Sequence, residues 1–292
     1  MSTPGTGGSG RPGPGTIAND FTITIGTVNG SGSTTSNVTL IRALFTMGIP
    51  VSGKNLYPSN IQGMPTWFVI RVNKDGYLAR KPHPEIVVAM CEESFSDDVD
   101  LLPPGGVLIY DDAIRQEVGR DDIIVYPLPV KKLVRDVGAP PNLRSYVGNM
   151  IYVGALANLL EIELDEIKRA LSHHFSGRER PISLNFETVQ TAYQYCENEL
   201  EKLDPFRVER MEATQGMKLV SGNEAGALGA AFGGVQFAAW YPITPATGLA
   251  DMLNYHLPRL RRDPETGKNT FAVVQAEDEL AAVNMVCGAT YA

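Results

Sequence analysis

Two prolines interrupt residues 238–247, which read Ala-Ala-Trp-Tyr-Pro-Ile-Thr-Pro-Ala-Thr. Each proline fixes its own φ and disfavours helix at the residue before it, so Tyr241 and Thr244 are held out of helical geometry. Because an apolar run ends at Trp240, we predict a stiff loop at the end of a strand. Such loops carry sites in open α/β sheets, and this one would present the Thr244 hydroxyl in a fixed direction. A proline turn that only reverses the chain is the alternative.

The flanking sequence predicts an α/β arrangement around this loop. Small residues over 222–231 predict a helix before the strand, and the apolar run 271–275 predicts a second strand after the loop. That strand leads into Ala276-Glu277-Asp278-Glu279, which reads as the start of a helix with an apolar face. The helix dipole alone favours acidic residues in a first turn. A carboxylate between a strand and a helix also lies where open α/β proteins build their sites.

The part of the chain before this unit predicts a mostly parallel sheet followed by helices. Short apolar runs, typical of buried parallel strands, occur at 21–26, 68–72, 86–90, 107–110 and 123–125. From 142 to about 203 the pattern is helical, and the last predicted helix covers 188–203.

A glycine-rich turn over residues 27–33 separates the first strand from a helix predicted over 34–47. A strand, a glycine-rich turn and a helix start together form an anion-binding geometry, because free backbone N–H groups point outward there. As a dinucleotide fingerprint the turn is incomplete, since Thr35 stands where the third glycine belongs. A tight turn into a parallel sheet is the alternative explanation of these glycines.

Composition argues against several classes of protein. The net charge of −8 argues against a broad nucleic-acid-binding surface, and no apolar run approaches the length of a membrane span. The cysteines Cys91, Cys196 and Cys287 are far apart, which suits a reducing, cytoplasmic location and excludes a disulfide framework. An iron–sulfur cluster needs about four cysteine ligands, so any cluster must lie on another chain. No metal site is predicted, and acidic pairs such as Asp97-Asp98 read as solvated turns or caps.

Four segments are predicted along the chain. Residues 1–16 are rich in Gly, Pro, Ser and Thr and are expected to be a disordered tail. Residues 17–203 form a first domain, and the polar stretch 204–218, which contains Pro205, is predicted as a linker. Residues 219–292 begin a second domain, which we expect to be truncated because the sequence stops inside the helix that Glu279 opens.

The loop and its neighbours resemble a known family. Residues 241–247, with Gly-Asn-Glu-Ala at 222–225 before them, resemble the opening of the alpha subunit of the 2-oxoacid:ferredoxin oxidoreductases. That family's loop reads Tyr-Pro-Ile-Thr-Pro followed by two small residues, usually Ser or Thr, so Ala246 is a mild departure. The helix Glu279-Leu280-Ala281-Ala282, followed by Gly288-Ala289, fits the family's Glu-x-x-Ala pattern.

The first domain resembles the gamma domain of the same family, which some members fuse in front of the alpha subunit. The matching features are the turn at 26–33, the segment Gln62-Gly-Met-Pro-Thr-Trp67 and the helical tail ending at 171–175. The Gln-Gly-Met-Pro-Thr-Trp segment looks more like the 2-oxoglutarate branch than the pyruvate branch. The implied fold is α/β: a gamma domain with a mostly parallel sheet and a helical tail, then the start of a thiamine-diphosphate-type pyrimidine-binding α/β domain.

The resemblance implies roles for individual residues. Glu279 would be catalytic and would hydrogen-bond the aminopyrimidine ring of thiamine diphosphate, with Glu277 as the second choice. Burial is expected to raise the pKa of this glutamate. Thr244 would be catalytic and would hydrogen-bond the substrate. The remaining implied contacts are Thr247 for substrate, Tyr241, Pro242 and Ile243 for cofactor, and Gly30, Ser31, Gly32, Ser33 and Gln62 beside coenzyme A.

The resemblance implies oxidative decarboxylation of a 2-oxoacid to acyl-CoA and CO₂, with transfer of the electrons to ferredoxin. The resemblance to the 2-oxoglutarate branch implies that this 2-oxoacid is 2-oxoglutarate. The reaction would also run in reverse, as a reductive carboxylation. Thiamine diphosphate is the cofactor and coenzyme A the cosubstrate. Mg²⁺ and a [4Fe-4S] cluster would belong mainly to a partner beta subunit, and the two subunits would form a dimer of heterodimers. No nucleic-acid or membrane partner is expected. Three alternatives stay open: a pyruvate-type member, a nucleotide-binding dehydrogenase that uses the turn at 26–33, and a non-catalytic partner-binding subunit.

Overall fold

The computed structural model describes residues 15–57, 63–243 and 246–292. Most of the predicted tail (1–14), Gln62 and Thr244 lie outside the described residues. The chain divides into two compact units between Met217 and Lys218.

A six-stranded sheet flanked by helices forms the first unit. The strands of this unit are β1 (Ile17–Ala18), β2 (Asp20–Val28), β3 (Val51–Leu56), β4 (Pro65–Asn73), β5 (Ile86–Ala89), β6 (Val107–Asp111), β7 (Ile124–Leu128) and β8 (Phe206–Arg207). Its α-helices are α1 (Ser33–Thr46), α2 (Phe95–Asp100), α3 (Val130–Asp136), α4 (Arg144–Leu159), α5 (Leu164–His174) and α6 (Glu179–Glu199).

The sheet is mostly parallel, which confirms the predicted fold class. Its spatial order is β3-β4-β2-β5-β6-β7, and the pairs from β2 to β7 are parallel. Within this sheet β4 alone runs in the opposite direction, because it pairs antiparallel with both β2 and β3. Strand β3 was not predicted, since its sequence Val-Ser-Gly-Lys-Asn-Leu has apolar residues only at its ends.

The predicted last helix of this unit was wrong in its bounds. Helix α6 begins at Glu179, nine residues before the predicted start at Thr188, and ends at Glu199. Pro181 does not prevent this early start, because the first backbone N–H groups of a helix have no partner within it. The helix ends where Leu200 turns extended, and Lys202 then donates hydrogen bonds to the backbone oxygens of Leu159 and Phe206.

The segment predicted as a linker packs against the first unit. Strand β8 pairs with β1, and the N–H groups of Met211 and Ala213 donate to the backbone oxygens of Met47 and Gly48. The Thr214 hydroxyl donates to the backbone oxygen of Phe45 at 2.7 Å. Residues 204–217 therefore belong structurally to the first unit.

Two parallel strands and three helices form the second unit. In chain order these are α7 (Gly222–Phe232), β9 (Phe237–Trp240), α8 (Thr247–Leu260), β10 (Ala272–Gln275) and α9 (Glu279–Ala289). Helices α7 and α8 pack together through a small apolar core that consists of Ala227, Ala231, Leu253 and Leu257. Helix α9 buries none of its residues. Within the described part of the chain, no helix has both the length and the apolarity needed to cross a membrane.

Candidate functional site

The predicted proline loop and the predicted carboxylate lie at the same edge of the second unit. Strands β9 and β10 are parallel, with Trp240 paired to Gln275 at their last positions. The N–H of Ala276 then donates to the backbone oxygen of Trp240 at 2.7 Å. Because both strands end here, the loop that begins at Tyr241 and the helix that begins at Glu279 start side by side.

A direct hydrogen bond joins these two segments. The phenol of Tyr241 donates to Oε1 of Glu279, with 2.5 Å between the oxygens. Glu279 is the first residue of α9, and the preceding Asp278 caps this helix by accepting a hydrogen bond from the N–H of Ala281 at 2.7 Å. The cap satisfies one of the free backbone donors of the first turn and fixes where the helix begins. The position of the Glu279 carboxylate is thereby set from both sides.

Both residues of this pair line a cavity of about 340 Å³. The rest of its wall is mainly apolar and comes from the end of β9, from α8 and from α9: Ala238, Ala239, Trp240, Ala246, Leu249, Ala250, Leu253, Ala282 and Val283. Glu277 is exposed and does not line the cavity. The cavity thus combines one carboxylate with an apolar wall, an arrangement suited to a flat, partly apolar ring that carries nitrogen groups.

The expected rise in the pKa of Glu279 was wrong. Glu279 is exposed, and the hydrogen bond from Tyr241 holds the pKa of its carboxyl below the ordinary value. The same hydrogen bond raises the pKa of the Tyr241 phenol. Burial was expected to dominate, but in this structure the hydrogen bond to the charged form does so.

The other predicted residues of the loop differ in their surroundings. Thr247 is the first residue of α8, and its hydroxyl donates to the backbone oxygen of Ile243 at 3.2 Å. Pro242 and Ile243 are exposed and do not line the cavity. Thr244 lies outside the described residues.

A second candidate site surrounds the glycine-rich turn of the first unit. Gly30 and Gly32 have φ of 87° and 84°, left-handed values that side-chain-bearing residues rarely adopt. The amide of Asn149 donates to the backbone oxygen of Ser31 at 2.8 Å. The Thr27 hydroxyl donates to the side-chain hydroxyl of Ser33 at 3.0 Å. Among the residues that the structure describes, no side chain caps the N-terminus of α1. The turn is therefore held in a shape that leaves the start of the helix open to a ligand.

We call the space beside this turn the glycine-turn cavity. It has a volume of about 250 Å³ and is bounded by the turn, by α1, by the ends of β3 and β4, and by Tyr146 of α4. Gly30, Gly32 and Ser33 line it, as do Thr66, Trp67 and Phe68 of β4. Of the other residues predicted beside coenzyme A, Ser31 does not line the cavity, and Gln62 lies outside the described residues.

Sequence reasoning missed a buried carboxyl group close to this cavity. Asp98 of α2, predicted as a solvated turn or cap residue, is fully buried. It accepts hydrogen bonds from the indole N–H of Trp67 at 2.5 Å and from the hydroxyl of Ser94 at 2.9 Å. Burial raises the pKa of Asp98 to about 6, although both hydrogen bonds act in the opposite direction. Elsewhere in the described ranges, no group of three or more His, Cys, Asp or Glu side chains is arranged to hold a metal ion.

Comparison with known proteins identifies the family. Residues 22–195 match the sequence model of pyruvate ferredoxin/flavodoxin oxidoreductase, and residues 228–292 match the thiamine-diphosphate-binding model of the same enzymes. The chain belongs to the pyruvate ferredoxin/flavodoxin oxidoreductase family. The recognition of an oxidoreductase of this kind from the proline loop and the glycine-rich turn is confirmed.

Individual members of this family resemble the chain over most of its length. The alpha subunit of 2-oxoacid:ferredoxin oxidoreductase 2 from Aeropyrum pernix is 26% identical over 94% of this chain and 49% of its own. A structure of 2-oxoglutarate:ferredoxin oxidoreductase from Magnetococcus marinus with 2-oxoglutarate, coenzyme A and succinyl-CoA bound matches with a TM-score of 0.79. It is 26% identical over 94% of this chain and 46% of its own chain. The chain therefore spans about half the length of these relatives.

A shorter match has higher identity. The 2-oxoglutarate synthase subunit KorA from Methanothermobacter thermautotrophicus is 42% identical over 72 residues, which is 25% of this chain and 17% of that subunit.

Proposed function

We propose that this chain contributes the fused gamma and alpha parts of a 2-oxoacid:ferredoxin oxidoreductase. Such an enzyme decarboxylates a 2-oxoacid, transfers the acyl group to coenzyme A and passes the electrons to ferredoxin. The observation that carries the proposal is the Tyr241–Glu279 pair at the carboxyl edge of β9 and β10, inside the region that matches the thiamine-diphosphate-binding model.

The residues of the second unit fit the pyrimidine end of thiamine diphosphate. A carboxylate beside an apolar cavity of about 340 Å³ offers a hydrogen-bond acceptor for ring and amino nitrogens and an apolar surface for the ring itself. When bound, the cofactor supplies the carbanion chemistry that the protein side chains lack. The chain's own part is to bind, orient and exchange a proton.

Glu279 is the residue that holds and moves this proton. Its Oε1 accepts the Tyr241 hydrogen bond, and at neutral pH its lowered pKa keeps the carboxylate ionised and ready to accept a second donor. Thr244 and Thr247 are proposed to hydrogen-bond the substrate, and Tyr241, Pro242 and Ile243 to border the cofactor.

Helix α9 presents exposed apolar side chains. Leu280 and Val283 are 75% and 61% exposed, and nearby Tyr291 is 93% exposed. Neighbouring apolar side chains left this accessible mark a surface that other protein covers. We propose that a beta subunit lies within this assembly and carries the diphosphate end of the cofactor, Mg²⁺ and the [4Fe-4S] cluster. In the first unit, the glycine-turn cavity is the proposed position next to coenzyme A.

Two findings favour 2-oxoglutarate as the substrate. The Magnetococcus marinus structure was obtained with 2-oxoglutarate and succinyl-CoA bound, and the KorA subunit with the short match belongs to a 2-oxoglutarate synthase. We propose the same substrate for this protein.

Dye reduction by the intact complex tests the proposal. The full-length protein, purified together with its subunits, is assayed for coenzyme A-dependent reduction of a low-potential viologen with 2-oxoglutarate and with pyruvate. Reduction with 2-oxoglutarate alone is expected. Reduction with pyruvate alone would keep the reaction and replace the substrate. Failure to reduce the dye, in a complex shown to contain thiamine diphosphate and a cluster, would overturn the proposed activity.

A further inference from the structure

The carboxyl group of Asp98 reaches the central sheet only because of a glycine. A Cβ placed on Gly26 would lie 2.6 Å from Oδ2 of Asp98, so any side chain at position 26 would displace the carboxyl group. Gly26 pairs across the sheet with Trp67 of β4 and, on its other side, with Ala89 of β5. The small residues at 26 and 89 leave a recess on one face of the sheet, and Asp98 fills it beside Trp67.

Asp98 thereby fixes one face of β4. Its Oδ1 accepts the indole N–H of Trp67, and its Oδ2 accepts the hydroxyl of Ser94, so each carboxylate oxygen has a donor. Hydrogen bonds to an ionised acceptor are stronger than those between neutral groups, so this contact restricts the half-buried side chain of Trp67. The pair is a direct polar contact between α2 and β4.

The opposite face of β4 forms a wall of the glycine-turn cavity. Side chains alternate between the two faces of a strand, so Thr66 and Phe68 point away from the face that Trp67 occupies. Both residues line the cavity together with Trp67 itself, and so do Thr27 of β2 and Asn37 of α1. A shift of the β4 backbone at Trp67 would therefore move Thr66 and Phe68, and rotation of the Trp67 side chain would alter the cavity wall directly.

We propose that Asp98 is a positioning residue of the glycine-turn cavity, which holds Trp67 on one face of β4 and so sets the cavity wall that Thr66 and Phe68 form on the other. The identity of the cavity's ligand, coenzyme A, rests on the proposed function, whereas the hydrogen bond itself does not. Sequence position gives no sign of this role, because Asp97 and Asp98 are adjacent and only Asp98 is buried.

The groups that face Asp98 make its titration readable. On its own helix, Asp97 is exposed and its charge raises the pKa of Asp98 further. The packed elements add Gly26 from β2, Trp67 from β4, the apolar strand β5 and the hydroxyl of Ser94, none of which is charged. A change in the Trp67 environment near pH 6 therefore reports the protonation of Asp98.

The first experiment needs no ligand. The full chain is labelled with 5-fluorotryptophan, and its two ¹⁹F signals are assigned with Trp240→Phe. The Trp67 signal is expected to shift with a midpoint near pH 6, to lose this titration in Asp98→Asn, and to keep it in the matched control Asp97→Asn. A Trp67 signal whose pH dependence is the same in Asp98→Asn as in the wild type would overturn the contact.

The second experiment tests the consequence for the cavity in the assembled enzyme. Asp98→Ala is expected to raise the KM for coenzyme A about tenfold with little change in kcat. Asp98→Asn can still accept the indole N–H and is expected to keep the KM of the wild type. In a Trp67→Phe background, Asp98→Ala should add little further effect, because Asp98 acts through Trp67. Should Asp98→Ala not fold, Trp67→Phe, which removes the indole N–H, is expected to raise the KM for coenzyme A in the same way, and an unchanged KM in Trp67→Phe would overturn the positioning role.

The results separate the two proposals. Equal KM values for Asp98→Ala, Asp97→Ala and wild type, in an enzyme that uses coenzyme A, would overturn the positioning role. A complex that shows no dependence on coenzyme A would overturn the proposed function, and the ¹⁹F titration then decides the Asp98 contact by itself.

Discussion

The phenol of Tyr241 donates a hydrogen bond to the carboxylate of Glu279, across 38 residues of sequence and at the ends of two paired parallel strands. This contact stabilises the ionised carboxylate and holds its pKa down. A lowered carboxyl pKa means that the native state favours the charged form. The contribution of the hydrogen bond is thus present at neutral pH and is lost as the pH falls through the lowered pKa.

Tyr241→Phe is expected to raise the pKa of Glu279 toward its ordinary value, because the substitution removes the hydrogen bond that is the largest cause of the shift. The measurement is the pH titration of the Glu279 carboxyl carbon by ¹³C NMR in protein free of thiamine diphosphate, with the signal identified by its loss in Glu279→Gln. A midpoint that is the same in Tyr241→Phe and in wild type would mean that the hydrogen bond does not form in solution.

Glu279→Gln and Glu277→Gln distinguish the two candidate glutamates. Only Glu279 lines the cavity and pairs with Tyr241, so we expect its substitution to lower kcat by about 10²–10⁴-fold, the usual range for loss of a group that transfers protons. Glu277→Gln, which keeps the side-chain volume and alters an exposed residue two positions away, should retain most of the activity. Both variants are assayed by viologen reduction after subunit content is matched.

The reverse ranking, with Glu277→Gln inactive and Glu279→Gln active, would transfer the role to Glu277. Normal turnover in both variants would remove the glutamate from the proposed mechanism altogether.

Helix α7, strands β9 and β10 and the start of α9 were readable from the sequence because each depends on local signals, whereas the start of α8 at Thr247 was not predicted. Prolines at 242 and 245 end one apolar run, and three acids at 277–279 follow the other, so strand ends and a helix start are encoded within a few residues. The pKa of Glu279 was not readable in the same way. Its sign depends on Tyr241, whose phenol reaches the carboxylate only after the two strands pair.

In the first unit, too, burial and hydrogen bonding could not be predicted from the sequence. Asp97 and Asp98 are identical in type and adjacent, yet one is solvated and the other is buried with two hydrogen-bond donors. The difference depends on which side of α2 meets the sheet and on the absence of a side chain at Gly26. Neither fact is visible in a pattern of charges. Strand β3 was missed for a related reason, since its pairing with β4 compensates for a weakly apolar sequence.

Asp98→Asn should change how stability depends on pH. Because the folded-state pKa of Asp98 is raised to about 6, the native state binds a proton that the unfolded chain releases near pH 4. The stability of the wild type therefore falls, through this group, as the pH rises from about 4 to about 6. An amide does not ionise, so the free energy of unfolding of Asp98→Asn should not fall in this way. Relative to that of the wild type, it should rise by up to about 3 kcal/mol between about pH 4 and about pH 6.

Urea unfolding at several pH values measures this gain, with Asp97→Asn as the control for a change in net charge alone. If the difference between Asp98→Asn and wild type is the same at pH 4 and at pH 7, then Asp98 titrates at its ordinary pKa and is not desolvated in the native state.

Helices α4 and α6 lie in close contact at Gly154. A Cβ on this glycine would lie 2.3 Å from the backbone oxygen of Val189 and 2.7 Å from Cβ of Ala192, and backbone cannot yield as a flexible side chain does. We therefore expect Gly154→Ala to destabilise the first unit by about 1–3 kcal/mol, the usual cost of overpacking. The measurement is the urea unfolding midpoint of the full chain, followed by tryptophan fluorescence.

Gly148, six residues earlier on the same helix, is the matched control. A Cβ there would lie 3.9 Å from side-chain carbons of Val130 and Val134, which is ordinary van der Waals contact. Alanine also costs less backbone entropy than glycine in a helix, so Gly148→Ala should stabilise the protein by about 0.5–1 kcal/mol. The two substitutions add the same methyl group to the same helix. Their effects on stability are expected to differ in sign only because α6 lies against position 154. Stabilisation by both would mean that α4 and α6 are farther apart in solution than this packing requires.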